Sequence, residues 1–237
     1  MNNCDPDGFC EPAPLGDNSS THSLASDLTV IYVGDPMCSW CWGITEHLKS
    51  FRKSLKQKGI NFEILMGGLR PGGGDPWNDK MKNFLKHHWE EVNKRSGQPF
   101  GYGLFEKESF NYDTEPACRA VVTSRNFLEA DQVNDFYEEV QRKFYVESQD
   151  PNETEFYRSI CEMFEIDFEE FKSLFGSNQA KEATRNEFVL NREWGVRGYP
   201  TVLLSHKTDL HMLARGYADE EELTHRLSSI EQRLVSA

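Results

Sequence analysis

The stretch Leu28-Thr29-Val30-Ile31-Tyr32-Val33 is a β-branched and aromatic run that stops at Gly34-Asp35-Pro36, the pattern of a buried strand meeting a turn. Beyond it Ile44, Leu48, Phe51 and Leu55 recur at helical spacing, which predicts a helix over residues 38–58 that ends at Gly59. Residues 60–66 alternate as a second strand before a glycine-rich turn. The first third of the chain therefore reads as a β-α-β unit with parallel strands and a right-handed crossover.

From about residue 76 to 194 the period changes to that of amphipathic helices. Val133, Phe136, Tyr137, Val140 and Phe144 share one face, and further stripes fall near residues 117–128 and 156–175. A β signal returns at residues 201–204 and 211–214 around the turn-like Lys207-Thr208-Asp209, which predicts an antiparallel hairpin. A last helix follows over about 219–235. Residues 1–26, rich in Asn, Asp, Pro, Gly and Ser, read as a flexible tail. The expected organisation is an α/β domain made of residues 27–75 and 195–237, interrupted by a helical insertion at 76–194. No repeat at solenoid periods is present.

Length and charge narrow the function classes. With 237 residues the chain can bury a full core without disulfide staples. Twenty-six Lys and Arg against 39 Asp and Glu give a formal net charge of −13, which disfavours nucleic acid and anionic lipid as partners. No apolar run approaches the roughly 18 residues of a membrane-spanning helix. No Lys or Arg precedes Lys49, so no secretory signal is recognised, and the expected address is cytoplasmic. Six cysteines in such a setting point to thiol chemistry, metal binding or plain burial rather than a disulfide framework.

Cys38-Ser39-Trp40-Cys41 stands where the first strand gives way to a helix. Backbone N–H groups and the helix dipole favour negative charge there, and such an environment can bring a thiol from about 8.5 into the range of roughly 3.5–7.5. Cys38 is then the attacking thiol, and Cys41, one turn further in, the resolving one. The same spacing also makes half of a zinc knuckle, for which Cys4 and Cys10 could supply the remaining ligands. A strand-first context within a β-α-β unit favours the redox reading, and no metal site is assigned. Downstream, Pro200 leads directly into a strand, a position that asks for a cis bond or a strand start.

In chain order, the segments Asp35-Pro36-Met37-Cys38-Ser39-Trp40-Cys41-Trp42-Gly43, Gly67-Gly68-Leu69-Arg70-Pro71, Thr114-Glu115-Pro116-Ala117-Cys118-Arg119-Ala120 and Gly198-Tyr199-Pro200-Thr201 resemble the DsbA-like thioredoxin superfamily, most closely its FrnE-like branch. The resemblance covers most of the chain. It implies a thioredoxin fold (β-α-β, then β-β-α) with a large α-helical insertion, and thiol-disulfide oxidoreductase or isomerase activity on protein or peptide thiols and disulfides. It also implies a nucleophilic Cys38, a resolving Cys41 and a cis Pro200 facing them, with the backbone of Tyr199 free to pair with an extended substrate. No cofactor beyond the cysteine pair is implied, with glutathione a candidate reductant or oxidant. Periplasmic members carry an export signal that is not recognised here. Oligomeric state is left open.

Around this centre, Trp40 and Trp42 could form an apolar platform for a client, with Trp40 the more exposed. Asp35, three residues before Cys38, reads as a proton relay or as a turn residue. Cys118 and Cys161 lie in helical stripes and read as buried structural thiols. Cys4 and Cys10 could form a second redox pair, hold a metal, or do neither. His87-His88-Trp89 reads as a solvated helix face, and residues 67–74, which lack a phosphate-loop ending, as a hinge into the insertion. Two other functions stay open on the same fold. One is a redox- or zinc-sensing adaptor that delivers a protein to a protease; the other, a glutathione-dependent isomerase or transferase, is weaker because those relatives use a single Ser-type site.

Overall fold

The computed structural model describes residues 28–236. Cys4 and Cys10, and the tail expected over 1–26, lie outside them. Four strands form one sheet in the order β2-β1-β3-β4: β1 (Leu28–Gly34), β2 (Asn61–Met66), β3 (Thr201–His206) and β4 (Asp209–Arg215). β2 runs parallel to β1, whereas β3 lies antiparallel to both β1 and β4. This is the sheet expected from the sequence, with Lys207 at positive φ in the tight β3–β4 turn.

Apart from Thr29, β1 is buried along its length because both of its faces are covered. Leu28, Val30 and Tyr32 point into the main core, while Ile31 and Val33 join Val196 and Leu203 in a smaller cluster on the other side. The outer side of β2 is held by side chains. Arg125 donates to the Ile64 carbonyl at 2.8 Å, Glu187 accepts from the Met66 N–H at 2.7 Å, and the two side chains pair with each other.

The helix expected over 38–58 is broken. α1 (Ser39–Gly43) stops after five residues and α2 (Thr45–Lys58) starts beyond Ile44. Two local causes are visible. Glycine weakens a helix, and at Gly43 a Cβ would stand 2.8 Å from the Val92 side chain, so α1 meets its neighbour there as only glycine permits. Thr45 then bonds its hydroxyl back to the Cys41 carbonyl at 3.1 Å, a contact that bends helices. α2 buries Leu48, Phe51 and Leu55 and closes on Gly59, left-handed at φ 70°.

Between β2 and β3 come α3 (Asp79–Ser96), α4 (Glu115–Ser124), α5 (Ala130–Tyr145), α6 (Arg158–Met163), α7 (Phe168–Gly176) and α8 (Asn178–Glu193), and α9 (Glu220–Ser236) closes the described chain. The α5 stripe read from the sequence is buried as a unit, and the helices share one core with the sheet. Trp89 corrects the reading of its segment as solvated. His87 is exposed, but Trp89 is fully buried against Phe105, Phe144 and Tyr145, because α3 turns that face inward. No helix among the described residues is long and apolar enough to cross a membrane.

Candidate active site

The turn after β1 delivers Cys38 to the start of α1. Its backbone is extended (φ −88°, ψ 116°), its N–H bonds to the Asp35 carbonyl at 3.0 Å, and its carbonyl receives the Trp42 N–H. Cys38 is 5% exposed and Cys41 is fully buried, and neither is in a disulfide. Against the main-chain turn before β3, the Cys38 thiol donates to the Tyr199 carbonyl at 3.6 Å, and the Tyr199–Pro200 peptide is cis. The sequence thus places the two motifs apart and the fold brings them together.

The expected stabilised thiolate is not what this environment provides. Hydrogen bonding of the Cys38 thiol to the neighbouring Cys41 sulfur, then burial, pushes it well above its ordinary range, and Asp35 adds repulsion. The reason is geometric. α1 is only one turn long before the break at Ile44, so little dipole accumulates at its start, and desolvation of the charged form outweighs it.

Asp35 is fully buried and works as a brace. Its carboxylate accepts the Met37 N–H at 2.8 Å, the Leu69 N–H at 2.6 Å and the Cys118 thiol at 3.4 Å. Burial raises its pKa above the ordinary carboxylate value despite these donors. Cys118 is therefore buried, as the sequence suggests, but it also touches the carboxylate beneath the site. Cys161 is buried in α6.

The segment 67–74 is more than a hinge. Tyr199 donates its hydroxyl to the Gly67 carbonyl at 2.6 Å, and a Cβ on Gly67 would lie 2.2 Å from the Tyr199 ring, so this glycine is required for the approach. Trp40 is partly buried with its edge toward Tyr217 (5.9 Å between ring centroids), and Tyr217 bonds His47 at 2.8 Å. Trp42 serves packing: it is buried, stacked on Tyr145 and donates to the Pro99 carbonyl at 3.0 Å.

Several residues at the site carry no readable sequence signal. Tyr112 donates to the Met37 carbonyl at 2.6 Å from a loop 75 residues away, and Tyr217 reaches Trp40 from beyond β4. Tyr32 is the exception in principle, since a hydroxyl on the core face of an otherwise apolar strand needs a polar partner. Among the described residues no cluster of three or more His, Cys, Asp or Glu side chains could hold a metal ion.

A family model described as thioredoxin matches residues 31–225. Among solved structures, a candidate protein disulfide isomerase from Nitrosomonas europaea is 31% identical, with a TM-score of 0.80 over 87% of this chain and 98% of that one. The cytosolic disulfide reductase DsbM from Pseudomonas aeruginosa is 23% identical, with a TM-score of 0.68 over 88% of this chain and 100% of that one. A candidate DsbA oxidoreductase from Streptomyces coelicolor is 14% identical, with a TM-score of 0.65 over 85% and 89% of the two chains. No curated protein matches the sequence.

Proposed function

This chain belongs to the thioredoxin family, and from that premise we propose that it is a dithiol oxidoreductase that exchanges disulfides with protein or peptide clients through Cys38. The observation that carries the reading is the Cys38 thiol, with a sliver of exposure, set against the Tyr199 carbonyl beside the cis Pro200, while Cys41 is sealed behind it.

In the forward direction the Cys38 thiolate attacks one sulfur of a client disulfide, and the other client sulfur leaves as a thiolate that takes up a proton. Cys41, deprotonated in turn, attacks Sγ of Cys38; the mixed disulfide breaks, the client leaves as a dithiol, and Cys38 and Cys41 are joined. Two electrons have passed from enzyme to client, and an external thiol such as glutathione restores the pair. The raised Cys38 thiol favours this direction. Strong oxidants of this architecture draw their power from a stabilised reduced form, and this environment withholds that stabilisation.

The backbone of Tyr199 would pair with an extended client, and Trp40 would give it an apolar surface. Insulin reduction tests the proposal. The parent protein should be active, Cys38→Ser inert, and Cys41→Ser should accumulate a client-linked species; equal turnover by parent and Cys38→Ser would overturn it.

A further inference from the structure

Cys41 poses a problem that the exchange scheme leaves open. It must shed a proton to attack Cys38, yet it is fully buried. Tyr32, on β1, lies in the same buried core and interacts electrostatically with it. From there a line of buried polar side chains continues: Tyr32 and Tyr137 hydroxyls are 3.3 Å apart, Gln141 donates its amide to the Tyr137 hydroxyl at 3.3 Å, and Thr45 donates to the Gln141 carbonyl at 3.1 Å and to the Cys41 carbonyl at 3.1 Å. The line thus runs from the Tyr32 hydroxyl back to the backbone of Cys41.

Such a network in a hydrophobic core is expensive unless each member is satisfied. The chain also makes room for it: at Gly34 a Cβ would stand 2.7 Å from both the Tyr137 hydroxyl and the Tyr32 ring. The two rings meet edge to face at 87°. A cavity of about 20 Å³ lined by Tyr32, Thr45, Tyr137 and Glu138 adjoins the pair, with Arg52 on its wall.

We propose that Tyr32 is a catalytic residue of the resolving step, donating its hydroxyl to the Cys41 sulfur as that thiol ionises and passing the released proton toward Tyr137. This rests on the dithiol reading above. The Cys41 proton passes to the Tyr32 oxygen as the Tyr32 proton passes to the Tyr137 oxygen and one Tyr137 proton passes outward by the cavity; the proton newly held by Tyr32 is the one it donates to the thiolate, both phenols end neutral, and the lost proton matches the one gained by the departing client sulfur. Burial, then charge on Cys41, holds the Tyr32 phenol protonated well beyond its ordinary range, so it stays a donor while the thiolate exists. The other titratable groups around Cys41 are Cys38 just before α1, Tyr137 and Tyr145 on α5, and Tyr199 before β3. Gln141 and Thr45 act through Tyr137 and are positioning residues.

The test compares the parent with Tyr32→Phe and Tyr137→Phe, which keep both rings. Formation of the mixed disulfide, followed in a Cys41→Ser background with an aromatic disulfide reagent, should be unchanged by Tyr32→Phe. Its resolution in the dithiol protein should slow about tenfold at neutral pH and recover as pH rises, with a smaller effect for Tyr137→Phe. Ultraviolet thiolate absorbance of Cys38→Ser and of the Cys38→Ser, Tyr32→Phe double variant reads the same contact without turnover, so it stands even if the disulfide-exchange reading fails. If Tyr32→Phe does not fold, Tyr137→Phe carries the comparison. Parental resolution rates and pH profiles in the folded variants, with superimposable thiolate titrations, would overturn the proposal.

Discussion

The Cys38 thiol and the Tyr199 carbonyl stand 3.6 Å apart across 161 residues of chain. That contact depends on a third residue: Gly67, whose missing side chain admits the Tyr199 ring and whose carbonyl receives its hydroxyl.

Gly67→Ala should therefore act at the site through overpacking. Displacing the Tyr199 ring should cost about 1–3 kcal/mol and pull the carbonyl away from Cys38, lowering insulin turnover. Tyr199→Phe removes the hydroxyl bond alone and should cost about 1 kcal/mol with a smaller loss of activity. Denaturant melts and turnover rates check both; an alanine variant as stable and active as the parent contradicts this account.

A second expectation concerns alkaline pH. Cys38 and Cys118 are held well above their ordinary values, the first mainly by its bond with Cys41 and the second by burial, and burial pushes Cys161 up to about 12. In the unfolded chain these thiols ionise from about 8.5. The unfolded state therefore loses protons first, and the stability of the reduced protein should fall as pH rises above about 8.5. Urea midpoints of the reduced protein between neutral pH and about 10 should drop, and Cys118→Ala should flatten the decline. A level midpoint across that range would refute it.

Much of this was legible in the chain, for identifiable reasons. Strand β1, the hairpin, the α5 stripe and the two motifs depend on local pattern, and local pattern survives folding. The break at Ile44 was hidden because the stripe Ile44, Leu48, Phe51, Leu55 continues across it, and only the Val92 contact at Gly43 and the bond of Thr45 back to the Cys41 carbonyl show why the helix stops. The surroundings of Cys38 escape the sequence for a related reason: a helix start favours thiolate, whereas the bond with Cys41 and burial, which spacing alone does not weigh, act against it. Tyr112, Tyr217 and Leu69 reach the site over long chain separations and leave no local mark.

Asp35 offers a third test. Alanine there leaves the Met37 and Leu69 N–H groups without their acceptor, at about 1–3 kcal/mol each. Asparagine has one side-chain acceptor oxygen and should fall between parent and alanine. Chemical denaturation of the three proteins gives the ranking, and an alanine variant matching the parent would show that the brace is dispensable.

Trp40 should matter to large clients and little to stability, since it is partly exposed and rests on Tyr217. Trp40→Ala is expected to raise KM for insulin several-fold while leaving reduction of a small aromatic disulfide near parental. Equal effects on the two substrates would assign Trp40 to packing instead.

The side chains along the outer border of β2 bear on a different property, solubility under stress. An open strand border invites a foreign segment to zip on and begin a fibril. Here a newcomer would have to evict the Arg125–Glu187 pair to reach the Ile64 carbonyl and the Met66 N–H. At this end of the border strand recruitment meets a resident ion pair already holding the main-chain groups it would need.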